Sequence, residues 1–193
     1  MADTIIAAAT PPGIGALAVL RISGPEATRL TDALLRQAVP WQPQHTYHRE
    51  LFTGETLLDE VIIAYWRAPR SFTGEEVVEI TCHGNPFLVE RITAAYLARG
   101  ARRAAPGEFT QRAFLNGKLD LTQAEAIADL IEAATDREIR GAQAMLGGRL
   151  GERIQKLRGE LIDLLAHLEA HIDFPEEDIA PEIGDAFLAS VNR

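Results

Sequence analysis

An α/β (α+β) domain over residues 1–118, followed by an all-α segment over residues 119–193, is the fold the sequence predicts. Three observations predict it. Short runs rich in Val and Ile alternate with amphipathic stretches in the first part, the pattern of strands interleaved with helices. In the second part apolar residues recur at helical spacing. The charge also divides there: residues 1–118 carry 12 acidic and 12 basic side chains, and residues 119–193 carry 16 and 7, so the net charge of -9 lies in the second part.

Residues 4–9 are apolar and strand-like, residues 11–15 form a Pro/Gly loop, and residues 16–22 read as a second strand. Ser23 and Glu26 have the spacing of a capping box, which predicts a helix to about Gln37. Residues 38–46, with two prolines, read as loop. Residues 57–66 and 76–82 read as strands. Residues 86–99 are amphipathic, with Gly100 as a natural helix stop. Residues 102–105 suit one more strand before the Pro106-Gly107 turn, and a short helix then leads to a turn at Gly117.

Thr122 and Glu125 have capping-box spacing and predict the start of a long helix. Its apolar face runs through Ile127, Leu130, Ile131 and Ala134 to Ala142, Met145 and Leu146, with a break at Gly147-Gly148. A second helix carries Leu150, Ile154, Leu157, Leu161, Leu164, Leu168 and Ile172, a heptad-like seam ending at Asp173-Phe174-Pro175. An acidic stretch, Glu176 to Asp178, and a short helix from Pro181 follow. Two such helices reach on the order of 35–40 Å each. Two helices alone cannot cover one apolar seam, which points to further helices outside this chain or to another copy.

Composition excludes several classes. Hydrophobic residues make up 47% of the chain, enough for a core. No apolar run approaches bilayer length, and Met1-Ala2-Asp3-Thr4 lacks a signal peptide's basic region, so the expectation is a cytoplasmic protein that does not enter a membrane. The single cysteine, Cys82, rules out an internal disulfide and a CxxC zinc cluster. The net-acidic chain, with only Arg99, Arg102 and Arg103 as a basic cluster, predicts weak nucleic-acid contact by itself.

Four segments carry candidate chemistry. In the first, the glycines of residues 9–16 read as a tight turn rather than a ligand loop, while Arg21 lies between Leu20 and Ile22 and must find an anion or solvent. In the second, strand alternation places Glu79 between apolar neighbours, either to pair with Arg21 or to grip a ligand. The same alternation sends Cys82 and His83 to opposite faces, so Cys82 reads as a small core residue and no catalytic dyad is expected. In the third, Lys118 follows a Gly turn, as a point-charge ligand for a carboxylate or as a solvated lysine. In the fourth, His167 and His171 have a spacing that can bind metal, but they flank the seam without the metalloprotease glutamate, and no metal site is expected. No Gly-x4-Gly-Lys-Ser/Thr loop occurs in the chain.

Residues 9–15, 20–24, 72–79, 83–84, 106–109, 112–120, 123–131 and 172–175, in that order, resemble the MnmE (TrmE) family of tRNA-modification GTPases. The resemblance implies a folate-binding and dimerisation domain over residues 1–118, similar to the folate domains of aminomethyltransferases, and the first part of a helical domain over 119–193, with the G domain absent. It implies a tetrahydrofolate derivative as cofactor, 5-formyl- or 5,10-methylene-tetrahydrofolate, contacted by Arg21, Glu79 and Lys118. It further implies a homodimer through the N-terminal domain and an FAD-dependent partner protein, the two together modifying C5 of the wobble uridine with an aminomethyl-type group. tRNA engages only the full complex. GTP, Mg and K serve the full-length family, and their sites are absent here. The chain has His83-Gly84-Asn85 where the family has His-Gly-Gly, a turn that Asn can also make in left-handed backbone. The family's catalytic cysteine lies in a C-terminal tail, so Cys82 does not inherit its role and no catalytic residue is expected here. Two other readings remain: a stand-alone folate-dependent one-carbon transferase, for which Asp120 is the only candidate acid or base, and a dimerisation module without folate binding. Residues 119–193 are expected to be less stable than residues 1–118, or to associate with another copy. Hydrogen exchange showing equal protection of both parts in a monomer contradicts this.

Overall fold

The computed structural model describes residues 3–173, with the side chains of His167 and His171 outside the described set. The chain divides into two compact units, residues 1–119 and 120–193. Among the described residues the first is an α+β unit and the second is helical.

In the first unit the strands are β1 (Ile5–Ala8), β2 (Leu17–Ser23), β3 (Thr46–Thr53), β4 (Thr56–Trp66), β5 (Val77–His83) and β6 (Arg102–Arg103), in the sheet order β3-β4-β5-β2-β1-β6. All neighbours are antiparallel except β1 and β6, which are parallel. Helices α1 (Ala27–Asp32) and α2 (Pro86–Leu97) contribute Leu30, Ile92 and Tyr96 to one core with Leu20, Ile22, Val78, Ile80 and Cys82 of the central strands. Period-2 alternation makes this face apolar and leaves Val19, Arg21, Glu79, Thr81 and His83 on the other. Tyr96 Oη donates to Thr31 Oγ1 at 2.8 Å, a buried hydrogen bond between the two helices.

Two turns need glycine. Gly24 has φ 134°, and a Cβ there would stand 2.7 Å from Thr4 Cα. At Gly84 a Cβ would stand 2.5 Å from Gly15 O, because the loop before β2 is tied to the end of β5 by Gly15 N–H donating to Gly84 O at 2.9 Å.

The structure corrects several local expectations. Ser23 does not cap α1. Its hydroxyl bonds Thr73 Oγ1 and Glu75, and Glu26 stands at the N-cap without a side-chain bond. The helix stops at Asp32, far short of Gln37, because the Asp32 carboxylate accepts from Val39 N–H and Trp41 Nε1 and turns the chain back. Strand β3 covers residues read as loop or left unassigned; only Leu51 and Phe52 of it are buried, so its alternation is faint. Asn85 is not left-handed: it has φ -101° and ψ 121° and caps α2, with Oδ1 accepting from Phe87 and Leu88 N–H.

α3 (Glu108–Leu115) ends in a Schellman turn, with Gly117 N–H donating to Phe114 O and Lys118 N–H to Ala113 O. In the helical unit, the expected first long helix is two helices, α4 (Leu121–Glu132) and α5 (Asp136–Leu146). A capping box of Thr135 and Glu138 restarts the chain between them. The cap of α4 is Asp120, boxed with Gln123, rather than Thr122. Gln123 Nε2 donates to Leu146 O at 2.9 Å, so the start of α4 meets the end of α5 and the pair runs antiparallel. α6 (Arg149–Asp173) is 25 residues long, and Leu157, Leu161 and Leu168 of its seam are each more than 50% exposed. The acidic stretch and closing helix expected after Asp173 lie outside the described residues.

Gly84→Ala is expected to destabilise the α+β unit by about 1–3 kcal/mol, since the backbone of Gly15 must move to admit a methyl group. Urea denaturation followed by the fluorescence of Trp41 and Trp66 measures it.

Candidate functional site

On the face of the sheet away from α1 and α2, Arg21 of β2 lies directly opposite Glu79 of β5. Arg21 Nε and Nη2 each lie 2.7 Å from Glu79 Oε1. The side chains are 26% and 23% exposed, so the pair is neither buried nor free in solvent. The guanidinium carbon also lies 5.0 Å from the ring centre of Phe72 and 5.7 Å from that of Phe109. Both arginine nitrogens converge on one carboxylate oxygen. Among the described residues Glu79 Oε2 has no protein donor, and it remains an acceptor for something else.

This pair forms part of the wall of a cleft of about 370 Å³, shared with Trp66, Arg70, Phe72 and Val77. Two aromatic side chains and a carboxylate suit a flat ring bearing N–H groups, and the two guanidiniums suit acceptor or anionic groups on the same ligand. The loop from Pro69 to Gly74 makes one side of it. That loop is held at several points: Lys118 Nζ donates to Pro69 O at 3.0 Å, Asn116 Nδ2 to Thr73 O at 2.7 Å, and Ser71 Oγ to Glu75 O at 2.6 Å. The structure thus brings Arg21 and Glu79 together. Lys118 supports the loop and does not line the cleft.

Sequence reasoning missed the charge network beside this loop. Arg112, only 12% exposed, reaches Asp3, Glu75 and Glu108. Arg102 binds Asp3 and Glu108, both at 2.6 Å. The Arg102 hydrogen bond, helped by Arg112, holds the Asp3 carboxyl down at about 2 against partial desolvation. Glu108 is also held at about 2, chiefly by Arg102, with Ala105 N–H and Arg112 adding to it. Burial works against the Arg112 charge, but its hydrogen bonds to Glu75 and Glu108 outweigh it and raise its pKa. The only sequence signal was the clustering of Arg102, Arg103, Glu108 and Arg112 around one turn. Of the short basic cluster, Arg102 and Arg103 are paired with carboxylates, Arg103 through Glu90, and Arg99 donates to Ala33 O and Ala95 O.

Other candidates separate cleanly. Cys82 is 1% exposed, and burial first, then Asp59, pushes its thiol up to about 11, the environment of a packed core thiol. His83 points to the opposite face, where its ring Nδ1 and backbone N–H each lie 2.8 Å from an Asp59 oxygen. Asp120 is committed to capping: the Thr122 hydroxyl first, and then Gln123 N–H, lower its pKa. It is a poor proton donor at neutral pH. No group of three or more potential metal ligands occurs among the described residues, and the side chains of His167 and His171 lie outside them. No described helix is long and apolar enough to cross a membrane.

Residues 4–118 match the family described as GTP-binding protein TrmE N-terminus, and residues 121–193 match the MnmE helical domain. The chain is 47% identical over 190 residues to the tRNA modification GTPase MnmE of Opitutus terrae, covering 98% of this chain and 42% of that protein. It is 44% identical over 175 residues to the protein of that name from Thermotoga maritima, covering 91% and 39%. For the Bacillus velezensis protein the figures are 45% over 193 residues, 96% and 42%. The chain therefore spans about two fifths of the length of these relatives.

Asp3 and Glu108 both have folded-state values below their ordinary ones, so the unfolded chain takes up protons first as pH falls. Their contribution is complete above the ordinary carboxylate range near pH 4, and is lost as pH drops through about 2. Thermal melting from pH 7 to pH 2 is expected to fall less steeply below pH 4 in Arg102→Gln than in the natural sequence.

Proposed function

The chain belongs to the MnmE (TrmE) family of tRNA modification GTPases, and from that premise we propose that it forms a tetrahydrofolate-binding, homodimerising region of such an enzyme. The observation that carries the reading is Glu79: a carboxylate with one oxygen held by Arg21 and the other without a protein donor among the described residues, in a cleft walled by Phe72 and Trp66. A reduced pterin offers a flat ring and an edge of adjacent N–H donors, which such a carboxylate accepts. Glu79 would receive that edge, and Phe72 and Trp66 would exclude water from the ring faces. Arg21, bonded to Glu79 Oε1 and flanked by two phenyl rings, orients the carboxylate. Lys118 would act by fixing the loop around Pro69 and by adding positive potential to this side of the site. When bound, the folate would supply the one-carbon unit.

The rest of the activity belongs to the whole enzyme. With a flavin-dependent partner protein, the assembly would modify C5 of the wobble uridine with an aminomethyl-type group, in a cytoplasmic setting. This chain contains no Walker-type phosphate loop, and by itself it would not hydrolyse GTP. A stand-alone one-carbon transferase is the weaker reading, since the Asp120 carboxylate is engaged as a helix cap.

Calorimetric titration with 5-formyltetrahydrofolate tests the proposal. Binding by the natural sequence, weakened roughly 10-fold or more in Glu79→Ala, is the expected result, in line with loss of a charge-assisted hydrogen bond of about 1.5–3 kcal/mol. Unchanged affinity in that variant removes Glu79 from the site.

A further inference from the structure

The charges around the cleft are unequal in what they touch. Arg21 is neutralised by Glu79, and the Lys118 ammonium is engaged by the Pro69 carbonyl. Arg70 also lines the cleft and is exposed, yet its side chain makes no ion pair or hydrogen bond among the described residues. Its backbone is well anchored: Arg70 N–H donates to Arg67 O at 2.8 Å, and the residues on either side are tied down through Pro69 O and Ser71 Oγ. A guanidinium on an anchored backbone, at the rim of a cleft and without a carboxylate of its own among the described residues, is available to an anion there. Arginine is the residue type suited to this task, since its planar fork matches a carboxylate in two-point contact.

We propose that Arg70 is the specificity-determining contact for the anionic tail of the ligand in this cleft, receiving a tail carboxylate while Glu79 receives the ring. This rests on the tetrahydrofolate reading above and deepens it. It gives the task of binding the tail to a residue that sequence inspection did not single out, while Lys118 supports the loop. The glutamate tail of a folate is the carboxylate group in question, and a ligand with a longer glutamate chain presents more of them at the same rim.

The test compares two ligands by calorimetry on the full chain at low ionic strength: 5-formyltetrahydrofolate, and its diamide, in which both tail carboxylates are neutral amides. The natural sequence is expected to favour the acid over the diamide by roughly 3- to 10-fold, the range for a partly solvated charge-assisted contact. Arg70→Ala is expected to bind both ligands with the diamide's affinity, and Arg70→Lys to keep part of the preference. Added salt should shrink the preference in the natural sequence. Because Arg70 has no partner among the described residues, an unchanged melting temperature is expected for both variants. A preference that survives in Arg70→Ala, or none in the natural sequence, overturns the Arg70 assignment while leaving the cleft as a folate site. Failure of the natural sequence to bind either ligand overturns the folate reading itself, and this assignment with it.

Discussion

Arg21 and Glu79 are 58 residues apart in the chain and directly opposite each other in the sheet, because β2 and β5 pair over seven consecutive positions. Their attraction is not what sets that register. An ion pair a quarter exposed contributes about 0.2–1 kcal/mol, and each cation–π contact a similar amount. On the opposite face of the same strands Leu20, Ile22, Val78 and Ile80 are fully buried, each contributing about 1.5–3 kcal/mol. The apolar face therefore determines the pairing, and a slip of one residue would turn every side chain over. The pair on the open face follows from it. A polar site is thus held in place by hydrophobic burial on the far side of the sheet.

The second constraint is the economy of charge around the 69–76 loop. Arg102 and Arg112 bind three carboxylates from distant stretches, Asp3, Glu75 and Glu108, and join the N-terminus to α3 and this loop. Ser23 Oγ bonds Thr73 and Glu75 and connects the same network to the end of β2. No single exposed pair here is worth much, but the network is multidentate, and Arg112 and Glu108 are nearly shielded from water. It ties one wall of the cleft to the N-terminal segment and α3. In the same network Arg102 and Arg112, prominent in the sequence, meet carboxylates within the unit.

Much of the architecture was legible in the sequence. Val/Ile-rich runs marked β1, β2, β4 and β5, and Gly100 and Gly117 marked the ends of α2 and α3. The misreadings share a cause. Ser23 and Glu26 have the spacing of a capping box, but Ser23 is the last residue of a strand and its hydroxyl has a tertiary partner. Asp120 and Thr135 are the true caps, and the second was hidden because apolar residues continue on both sides of it. Strand β3 was missed because it is an edge strand, with few buried residues to produce alternation. Local patterns report local preference, and long-range partners override it.

By itself the sequence determined the α+β character of the first unit, the helical character of the second, the burial of Cys82, and the presence of a cation and a carboxylate stranded within apolar strands. These follow from periodicity and from the cost of burying charge, both of which act within a few residues. Only the tertiary structure decided that Arg21 and Glu79 face each other, that Lys118 braces a loop, and that, among the described residues, one oxygen of Glu79 has no donor and the Arg70 side chain at the rim has no partner. The physical reason is that contact between residues tens of positions apart depends on strand register and loop path. Those are set by the summed burial of the whole core rather than by any stretch of chain that can be read alone.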